Sequence, residues 1–204
     1  SGGVLYGDVY TPATEDAPAN PISPYGISKW AGEQYLQFFA REHGISATAL
    51  RYANVYGPRQ NPHGEAGVVA IFCQRLLRGD GITINGDGKY DRDYVYGPDV
   101  AQANLAALTS NRAGFRAFNL GTGVATDVNR LAQMIRDHVQ AVRHRRDLGS
   151  DLPQPQYGPA RAGDLRSSLV SAARAKQELG WQPQVTLAEG LCRTVEWFAE
   201  RVPR

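Results

Sequence analysis

The sequence predicts an α/β protein built on a largely parallel β-sheet. Segments rich in β-branched and apolar residues alternate with amphipathic helical segments along the 204 residues, and this alternation is typical of βα units with parallel strands. The apolar content of 42% and the charged content of 21% are globular values, so a packed core is expected. The longest apolar run, "GVVAIF", is too short to cross a bilayer, and no membrane partner is predicted.

The first elements are bounded by glycine and proline. In "SGGVLYG" an apolar run precedes a Gly-Asp turn, which predicts a strand through residues 4–6. Pro24 after Ser23 predicts a helix over residues 24–43, because the fixed φ of proline suits the first helical turn. Gly44 then ends this helix, and the β-branched "SATALRYANVYG" predicts a buried strand.

The rest of the chain continues the alternation. Strands are predicted at "ITING", "RDYVY" and "FRAFNLG", and helices at "VVAIFCQRLLRG", "VAQANLAALTS", "VNRLAQMIRDHV", "SAARAKQELGW" and "TLAEGLCRTVEWFAERV". The helix "VAQANLAALTS" is opened by Pro98 and Asp99. The proline-rich stretch 152–159 predicts a loop.

Charge and cysteine content exclude several classes of partner. The 22 basic and 20 acidic residues leave a formal charge of +2, which is too balanced to favour nucleic acid. Cys73 and Cys192 lie far apart without a CxxC pattern, so neither a disulfide framework nor a metal site is predicted. The chain shows no charged-then-apolar leader, which favours a cytoplasmic protein.

A tyrosine and a lysine four residues apart carry the clearest chemistry. Tyr25 and Lys29 in "SPYGISKWAGEQ" share one face of the predicted helix at the i, i+4 spacing. An ammonium group near a phenol favours loss of the phenolic proton, so the tyrosine can act as a proton acceptor. The alternative is an amphipathic helix in which the tyrosine packs and the lysine is solvated.

A glycine pair in "NLGTGVATDVNRL" allows two interpretations. A strand, Gly121, Gly123 and a helix follow one another, as at the start of a dinucleotide-binding turn. The third glycine of that motif is replaced by Thr126. The simpler interpretation is a tight turn in which Thr126 or Asp127 caps the helix.

Seven ordered motifs resemble those of one family. These are "SGGVLYG", "PYGISK", "RYANVYGPRQ", "ITINGDGKYDRDYVY", "FNLGTG", "ARAGD" and "AKQELGWQP". Together they resemble the extended short-chain dehydrogenase/reductase family, and within it most closely the nucleotide-sugar 4-epimerases. Members of that family begin with a Rossmann half that bears GxxGxxG, and this sequence resembles the part that follows it.

The resemblance implies a domain organisation. The fold would be α/β, the C-terminal part of a Rossmann-like parallel sheet plus a small α/β substrate-binding domain. Residues 1–60 would be the remnant of the NAD-binding domain. Residues 61–204 would mainly bind the nucleotide sugar, with a strand and helix near 91–111 returning to the Rossmann sheet.

The resemblance also implies catalytic and cofactor-binding residues. Tyr25 corresponds to the tyrosine that takes the proton from the sugar 4-hydroxyl, and Lys29 to the lysine that activates it and binds the nicotinamide ribose of NAD. Ser1 falls near the catalytic hydroxyl, although the register also allows Gly2 at that position. Tyr52 lies in the segment that touches the nicotinamide end of the cofactor.

Substrate-binding roles fall on residues of several later motifs. For each residue the resemblance implies a part of a UDP-sugar: the diphosphate for Asn54, Arg92 and Arg161; the uracil border for Val68, Thr83 and Asn85; the R-x-G-D pattern for Asp164; and the sugar pocket for Ser168. A small residue at the position of Ser168 predicts that an N-acetylated sugar is accepted. Duller alternatives remain: Arg92 pairs with Asp91 or Asp93, Arg161 is solvated, and Asn54 caps a turn.

Three functions remain open at this point. The first is an NAD-dependent UDP-glucose/UDP-galactose (or N-acetylhexosamine) 4-epimerase, which oxidises and re-reduces C4 with no net redox change. The second is a sugar-nucleotide 4,6-dehydratase, whose Asp-Glu pair "SGGVLYG" lacks. The third is a non-catalytic module that binds nucleotide sugars. Without its cofactor half the chain is expected to be inactive and to associate as a homo-oligomer.

Overall fold

Helices and parallel strands alternate along the chain, which confirms the predicted α/β class. The structure is a computed structural model that describes residues 2–63, 67–110, 112–149 and 151–202. The helices are α1 (Gly2–Leu5), α2 (Pro24–His43), α3 (Val68–Leu77), α4 (Gly97–Thr109), α5 (Val128–Arg145), α6 (Ala173–Leu179) and α7 (Leu187–Ala199). The strands are β1 (Ala47–Tyr52), β2 (Asn54–Tyr56), β3 (Thr83–Asn85), β4 (Asp91–Tyr96), β5 (Phe115–Leu120), β6 (Ala125–Asp127), β7 (Gln156–Gly158) and β8 (Ser167–Ser168).

The chain divides into two compact units, each made of three separate segments. Unit 1 comprises Ser1–Val55, Asp91–Ala125 and Gly163–Gln184. Unit 2 comprises Tyr56–Tyr90, Thr126–Ala162 and Val185–Arg204.

Parallel strand pairs form the framework of unit 1. β1 pairs with β5 over their whole length, from Ala47 opposite Phe115 to Tyr52 opposite Leu120. β4 pairs in parallel with the two-residue β8, and the order of that sheet is β2-β4-β6. α4 follows β4 and leads to β5, which pairs with β1.

The core of unit 1 lies between these strands and the helices α4 and α6. Its largest cluster of buried side chains consists of Val95, Val100, Ala103, Phe118, Leu120, Ala175 and Trp181. A second cluster joins the end of α1 to the segment around β8, through Leu5, Tyr6, Ala13 and Val170.

Unit 2 is a helical layer with a short parallel strand pair. The helices α3, α5 and α7 pack against one another, and their buried faces carry Leu76, Ile135 and Leu191. β3 pairs with β7, with Thr83 opposite Gln156. The apolar periodicity of all three helices therefore predicts their buried faces correctly.

The bounds of α2 agree with the signals in its sequence. Ser23 is the N-cap, and its Oγ accepts a hydrogen bond from the Gly26 N–H at 3.1 Å. Pro24 lies in the first turn, and Gly44 ends the helix with a left-handed φ of 65°. Within the described residues, no helix combines the length and apolarity that a membrane span requires.

The predicted strand at residues 4–6 is wrong, because residues 2–5 form the helix α1. An apolar run of three residues does not distinguish a strand from a helical turn. The two glycines before it allow a close approach that favours the helix. A Cβ on Gly2 would lie 2.7 Å from the carbonyl oxygen of Arg51, and a Cβ on Gly3 would overlap the Ser168 hydroxyl.

The predicted loop at 152–159 is wrong in part, since it contains β7 (Gln156–Gly158). Pro153 and Pro155 precede this strand, at a position where proline removes no ladder hydrogen bond. The sequence analysis also missed β6 and β8. A strand of two serines such as β8 has no apolar pattern, and its pairing is fixed by distant residues.

Candidate functional site

Tyr25 and Lys29 lie on one side of the first two turns of α2. The Lys29 Nζ is 5.3 Å from the centroid of the Tyr25 ring, and both side chains are exposed, Tyr25 to 55%. Within the described chain, the Tyr25 ring is therefore not part of a core, contrary to the packing alternative. An accessible tyrosine whose ring lies beside an ammonium group can meet a ligand.

The first turn of α2 packs directly on α1. A Cβ on Gly26 would lie 2.8 Å from the Val4 carbonyl oxygen, so this approach requires glycine. Ser1, predicted to supply the catalytic hydroxyl, lies outside the described residues. The neighbouring Gly2 opens α1.

Arg92 on β4 forms an ion pair with another predicted site residue. Its Nη2 lies 2.5 Å from the Asp164 Oδ1, and its Nη1 donates to the Asp91 carbonyl oxygen at 2.9 Å. The side chain that pairs with Arg92 is thus Asp164, which the sequence analysis did not consider. The Arg92 side chain is only 13% exposed, and this burial gives its charge more electrostatic effect than a surface arginine has.

Ser168 lies next to Arg92 in register and against α1. The two residues are paired positions of β8 and β4. Ser168 is buried, and a Cβ built on Gly3 would meet its hydroxyl and lie 3.9 Å from the Asn54 Oδ1. The structure therefore gathers Ser168, Asn54 and α1 into one small region of unit 1.

Tyr52 is half-buried at the end of β1. Its hydroxyl donates to the Asn104 Oδ1 on α4 at 2.9 Å. This bond fixes the ring in the framework of unit 1, so a contact with a cofactor would use a ring edge or the backbone.

The remaining predicted residues belong to unit 2. Val68 is the first residue of α3, Thr83 and Asn85 are the ends of β3, and Arg161 is exposed in the segment after β7. The register of β3 and β7 places Thr83 opposite Gln156 and Asn85 opposite Gly158. Thr83 is exposed and Asn85 is half-buried, so both can meet a ligand.

The glycine pair after β5 is a structural turn. The Gly123 N–H donates to the Asp93 Oδ2 at 2.9 Å, and the Thr122 N–H donates to the Asp93 Oδ1 at 2.8 Å. Asp127 caps α5 by accepting from the Arg130 N–H. These donors are used within unit 1, and the turn is not a phosphate-binding loop.

Asp93 is a residue that the sequence analysis did not assign. It is completely buried, next to Arg92 on β4, and it also accepts from the Thr122 hydroxyl at 2.7 Å. Burial raises the pKa of the Asp93 carboxyl above its usual value, although the donors from Thr122, Gly123 and Val170 act to lower it. The alternation in "RDYVY" places Asp93 on the same face as the core residue Val95, and this signal could have identified it.

Known proteins match both the sequence and the structure. A profile of the NAD dependent epimerase/dehydratase family matches residues 1–121. A UDP-glucose 4-epimerase of Mycolicibacterium smegmatis is 46% identical over 202 residues, which cover 98% of this chain and 61% of the relative. The chain therefore spans less than two thirds of that relative's length.

Two solved structures are similar to the fold described above. One is a UDP-glucose 4-epimerase from Thermotoga maritima with UDP-glucose, with a TM-score of 0.89 and 48% identity over 100% of this chain and 62% of the other. The second is a Thermus thermophilus UDP-glucose 4-epimerase in complex with NAD, with a TM-score of 0.86 and 39% identity over 97% of this chain and 61% of the other.

Proposed function

Because this chain belongs to the NAD dependent epimerase/dehydratase family, we propose that it is part of an NAD-dependent UDP-sugar 4-epimerase. The observation that carries the proposal is the exposed Tyr25 with the Lys29 ammonium beside it at the start of α2. The relatives named UDP-glucose 4-epimerase support the substrate class. UDP-glucose and UDP-galactose are the proposed pair of substrates.

Tyr25 is proposed to accept the proton of the sugar 4-hydroxyl and to return it after the sugar has turned. Lys29 would bind the nicotinamide ribose, near Tyr52. NAD, when bound, supplies a reversible acceptor for the C4 hydride. The described residues fit only this end of the cofactor, because the donors of the 121–123 turn are engaged by Asp93.

The substrate diphosphate is proposed to bind Asn54, Arg92 and Arg161. The Arg92 guanidinium is a planar fork that suits phosphate oxygens, and Asp164 holds it at one nitrogen. The uracil ring would border the segment at Val68 and the strand β3, with Thr83 and Asn85 at its ends.

Ser168 is proposed to line the sugar pocket. Its small side chain leaves more room than a bulky residue would, so we infer that UDP-N-acetylglucosamine is also accepted. The close approach of Ser168 to Gly3 places Ser168 beside α1 and Asn54. This location supports the proposed role.

A 4,6-dehydratase is the second candidate. Elimination across C5 and C6 needs an acid and a base near the catalytic hydroxyl, and the segment Gly2–Leu5 carries no acidic side chain. A non-catalytic nucleotide-sugar module is the third.

One experiment separates the three candidate functions: the full-length protein is incubated with UDP-glucose and NAD, and the sugar is followed by NMR. UDP-galactose supports the epimerase, a 4-keto-6-deoxy sugar the dehydratase, and binding without conversion the module.

The domain roles follow from the same proposal. Residues 1–60 would belong to the NAD-binding part and residues 61–204 mainly to the substrate-binding part, with the strand and helix near 91–111 returning to the former. The 204-residue chain alone is then expected to be inactive and to bind NAD negligibly, because the adenosine and diphosphate of NAD would bind to another part of the full-length protein. Micromolar NAD affinity in calorimetry of this chain would contradict that expectation.

Association with another copy is also proposed. The helix α2 buries only Gly26, Glu33 and Ala40, and it leaves large apolar side chains exposed, namely Ile27, Tyr35, Leu36, Phe38 and Phe39. An exposed apolar patch of this kind supports an interface. Sedimentation should show a homo-oligomer, and a stable monomer would contradict it.

A cytoplasmic location is also proposed. The two cysteines without a disulfide support it, and cell fractionation would test it.

A further inference from the structure

A buried ion pair joins Glu33 of α2 to Arg51 of β1. The Arg51 Nη2 is 2.6 Å from the Glu33 Oε2, and the side chains of Arg51 and Glu33 are 6% and 7% exposed. The Arg51 Nε also donates to both carboxylate oxygens, at 3.0 and 3.1 Å. The contact is therefore a two-nitrogen fork on one carboxylate, a geometry that fixes orientation as well as distance.

The pair continues into a chain of hydrogen bonds. The Arg51 Nη1 donates to the Tyr6 hydroxyl at 2.6 Å, and that hydroxyl donates to the Asn119 Oδ1 at 2.8 Å. Asn119 in turn donates to the Ala13 carbonyl oxygen. Burial raises the pKa of the Tyr6 hydroxyl, so it keeps the proton that it donates.

The strand register explains why these groups meet. Arg51 on β1 and Asn119 on β5 are paired positions, so their side chains point to the same face of the sheet. The Arg51 guanidinium also lies 5.9 Å from the centroid of the Trp30 ring on α2. The Arg51 guanidinium on β1 thus contacts Glu33 and Trp30 of α2 and also Tyr6, the residue that follows α1.

The position of Glu33 on α2 gives the network its consequence. Lys29 lies one turn before Glu33 on α2, at the i, i+4 spacing that makes helical residues neighbours, while Tyr25 lies one turn before Lys29. Glu33 is the buried member, and Gly26 and Ala40 are the other buried residues of α2. The buried stripe of α2 is narrow, and the Arg51 fork is a directional contact that joins it to β1.

We propose that Glu33 and Arg51 are positioning residues, which fix the rotation of α2 and so aim Tyr25 and Lys29 at the sugar. This inference rests on the proposed function. A buried ion pair can often be replaced by apolar side chains of similar volume without loss of stability. Replacing both partners with apolar side chains therefore tests the positioning role while the fold is kept. Replacing only one partner would leave a buried charge.

The test compares two double variants of the full-length protein. Glu33→Met with Arg51→Met removes the buried pair. The matched control, Glu42→Met with Arg41→Met, removes an exposed pair of the same helix, whose side chains are 45% and 73% exposed. The readouts are the thermal midpoint, kcat and KM for the UDP-sugar, and hydrogen exchange of the backbone amides of residues 27–33.

The buried-pair variant should keep a thermal midpoint close to that of the parent, and its kcat should fall by about 10²-fold, as for a catalytic group misplaced by about 1 Å. Its KM should change far less than its kcat, and exchange in residues 27–33 should become faster. The control should keep kcat and exchange unchanged. If the double variant does not fold, Arg51→Lys, which keeps both charges of the buried pair but not the two-nitrogen fork, is measured in the same way.

Unchanged kcat and unchanged exchange in a folded variant would overturn the inference, as would an equal loss of kcat in the control. Failure of the proposed function is recognised separately, because Tyr25→Phe would then leave turnover unchanged. In that case the exchange of residues 27–33 still decides whether the pair fixes α2.

Discussion

Arg92 and Asp164, 72 residues apart in the chain, meet in an ion pair with the Arg92 Nη2 2.5 Å from the Asp164 Oδ1. Both residues were expected in the substrate site from their motifs, and neither motif predicted the pairing. The carboxylate holds one side of the guanidinium fork. The arginine is therefore oriented before any ligand arrives, which reduces the entropy that binding must overcome.

The first prediction concerns this fork. Arg92→Lys should weaken UDP binding by at least about tenfold, since lysine is a point charge that cannot make two parallel bonds. Calorimetry with UDP measures the change. Arg112→Lys, which alters another arginine of unit 1 that is paired with a carboxylate, is the control. Equal UDP affinity in Arg92→Lys and the parent would remove Arg92 from the diphosphate site.

The second prediction concerns the proton acceptor. Tyr25→Phe in the full-length protein should lower turnover by about 10²- to 10⁴-fold while UDP-sugar binding is kept, because only the hydroxyl is removed. Tyr10→Phe changes another exposed tyrosine of unit 1 and should have no effect. Normal turnover of Tyr25→Phe would exclude this tyrosine from the mechanism.

The third prediction concerns the sugar. Ser168→Tyr should lose activity on UDP-N-acetylglucosamine selectively, because a bulky ring would take the space of the acetamido group. Ser168→Ala preserves the small volume and should keep both activities. The ratio of kcat/KM for the N-acetylated sugar and the plain hexose is measured for each variant. The same ratio in Ser168→Tyr as in the parent would count against the role of Ser168.

The fourth prediction concerns pH and Asp93. Burial raises the pKa of its carboxyl in the folded state, so the folded protein binds that proton more tightly than the unfolded chain does. The resulting stability is present below the unfolded pKa of about 3.9 and is lost as pH rises through the folded pKa. Asp93→Asn does not titrate at this site. The stability of the parent relative to the variant should therefore decline as pH rises above about 4.

Urea unfolding of the parent and of Asp93→Asn at a series of pH values from about 4 to 8 measures this difference. Asp151→Asn, an exposed position, shows how much a solvated carboxylate contributes to the same curve. If the stability of the parent relative to Asp93→Asn instead rises with pH, the folded protein does not raise the pKa of the Asp93 carboxyl.

Some features could be predicted because their signals are local. Ser23, Pro24 and Gly44 bound α2 through cap geometry that involves only neighbouring residues. The apolar periodicity of α5 and α7 likewise identifies the faces that are buried. The spacing of Tyr25 and Lys29 gives their common face directly, since the helix around them was predicted correctly.

Other features depend on contacts between distant segments, and the sequence contains no local sign of them. The strand β8 consists of two serines, and it is held by the Asp8 carboxylate, which accepts from the N–H groups of Arg166 and Ser167. The glycines of α1 look like a flexible start of a strand until their contacts with Arg51 and Ser168 are known. The partner of the Glu33 carboxylate also depends on how α2 packs on β1.

If the full-length protein is the proposed 4-epimerase, it inverts C4 of a UDP-hexose by removing a hydride and returning it to the same carbon. This is tested with UDP-glucose that carries deuterium at C4, incubated with the full-length protein and NAD and followed by NMR. The expected product is UDP-galactose that retains the deuterium at C4. Deuterium transferred to C6 with loss of water, exchange of the label with solvent, or the absence of any product would contradict it.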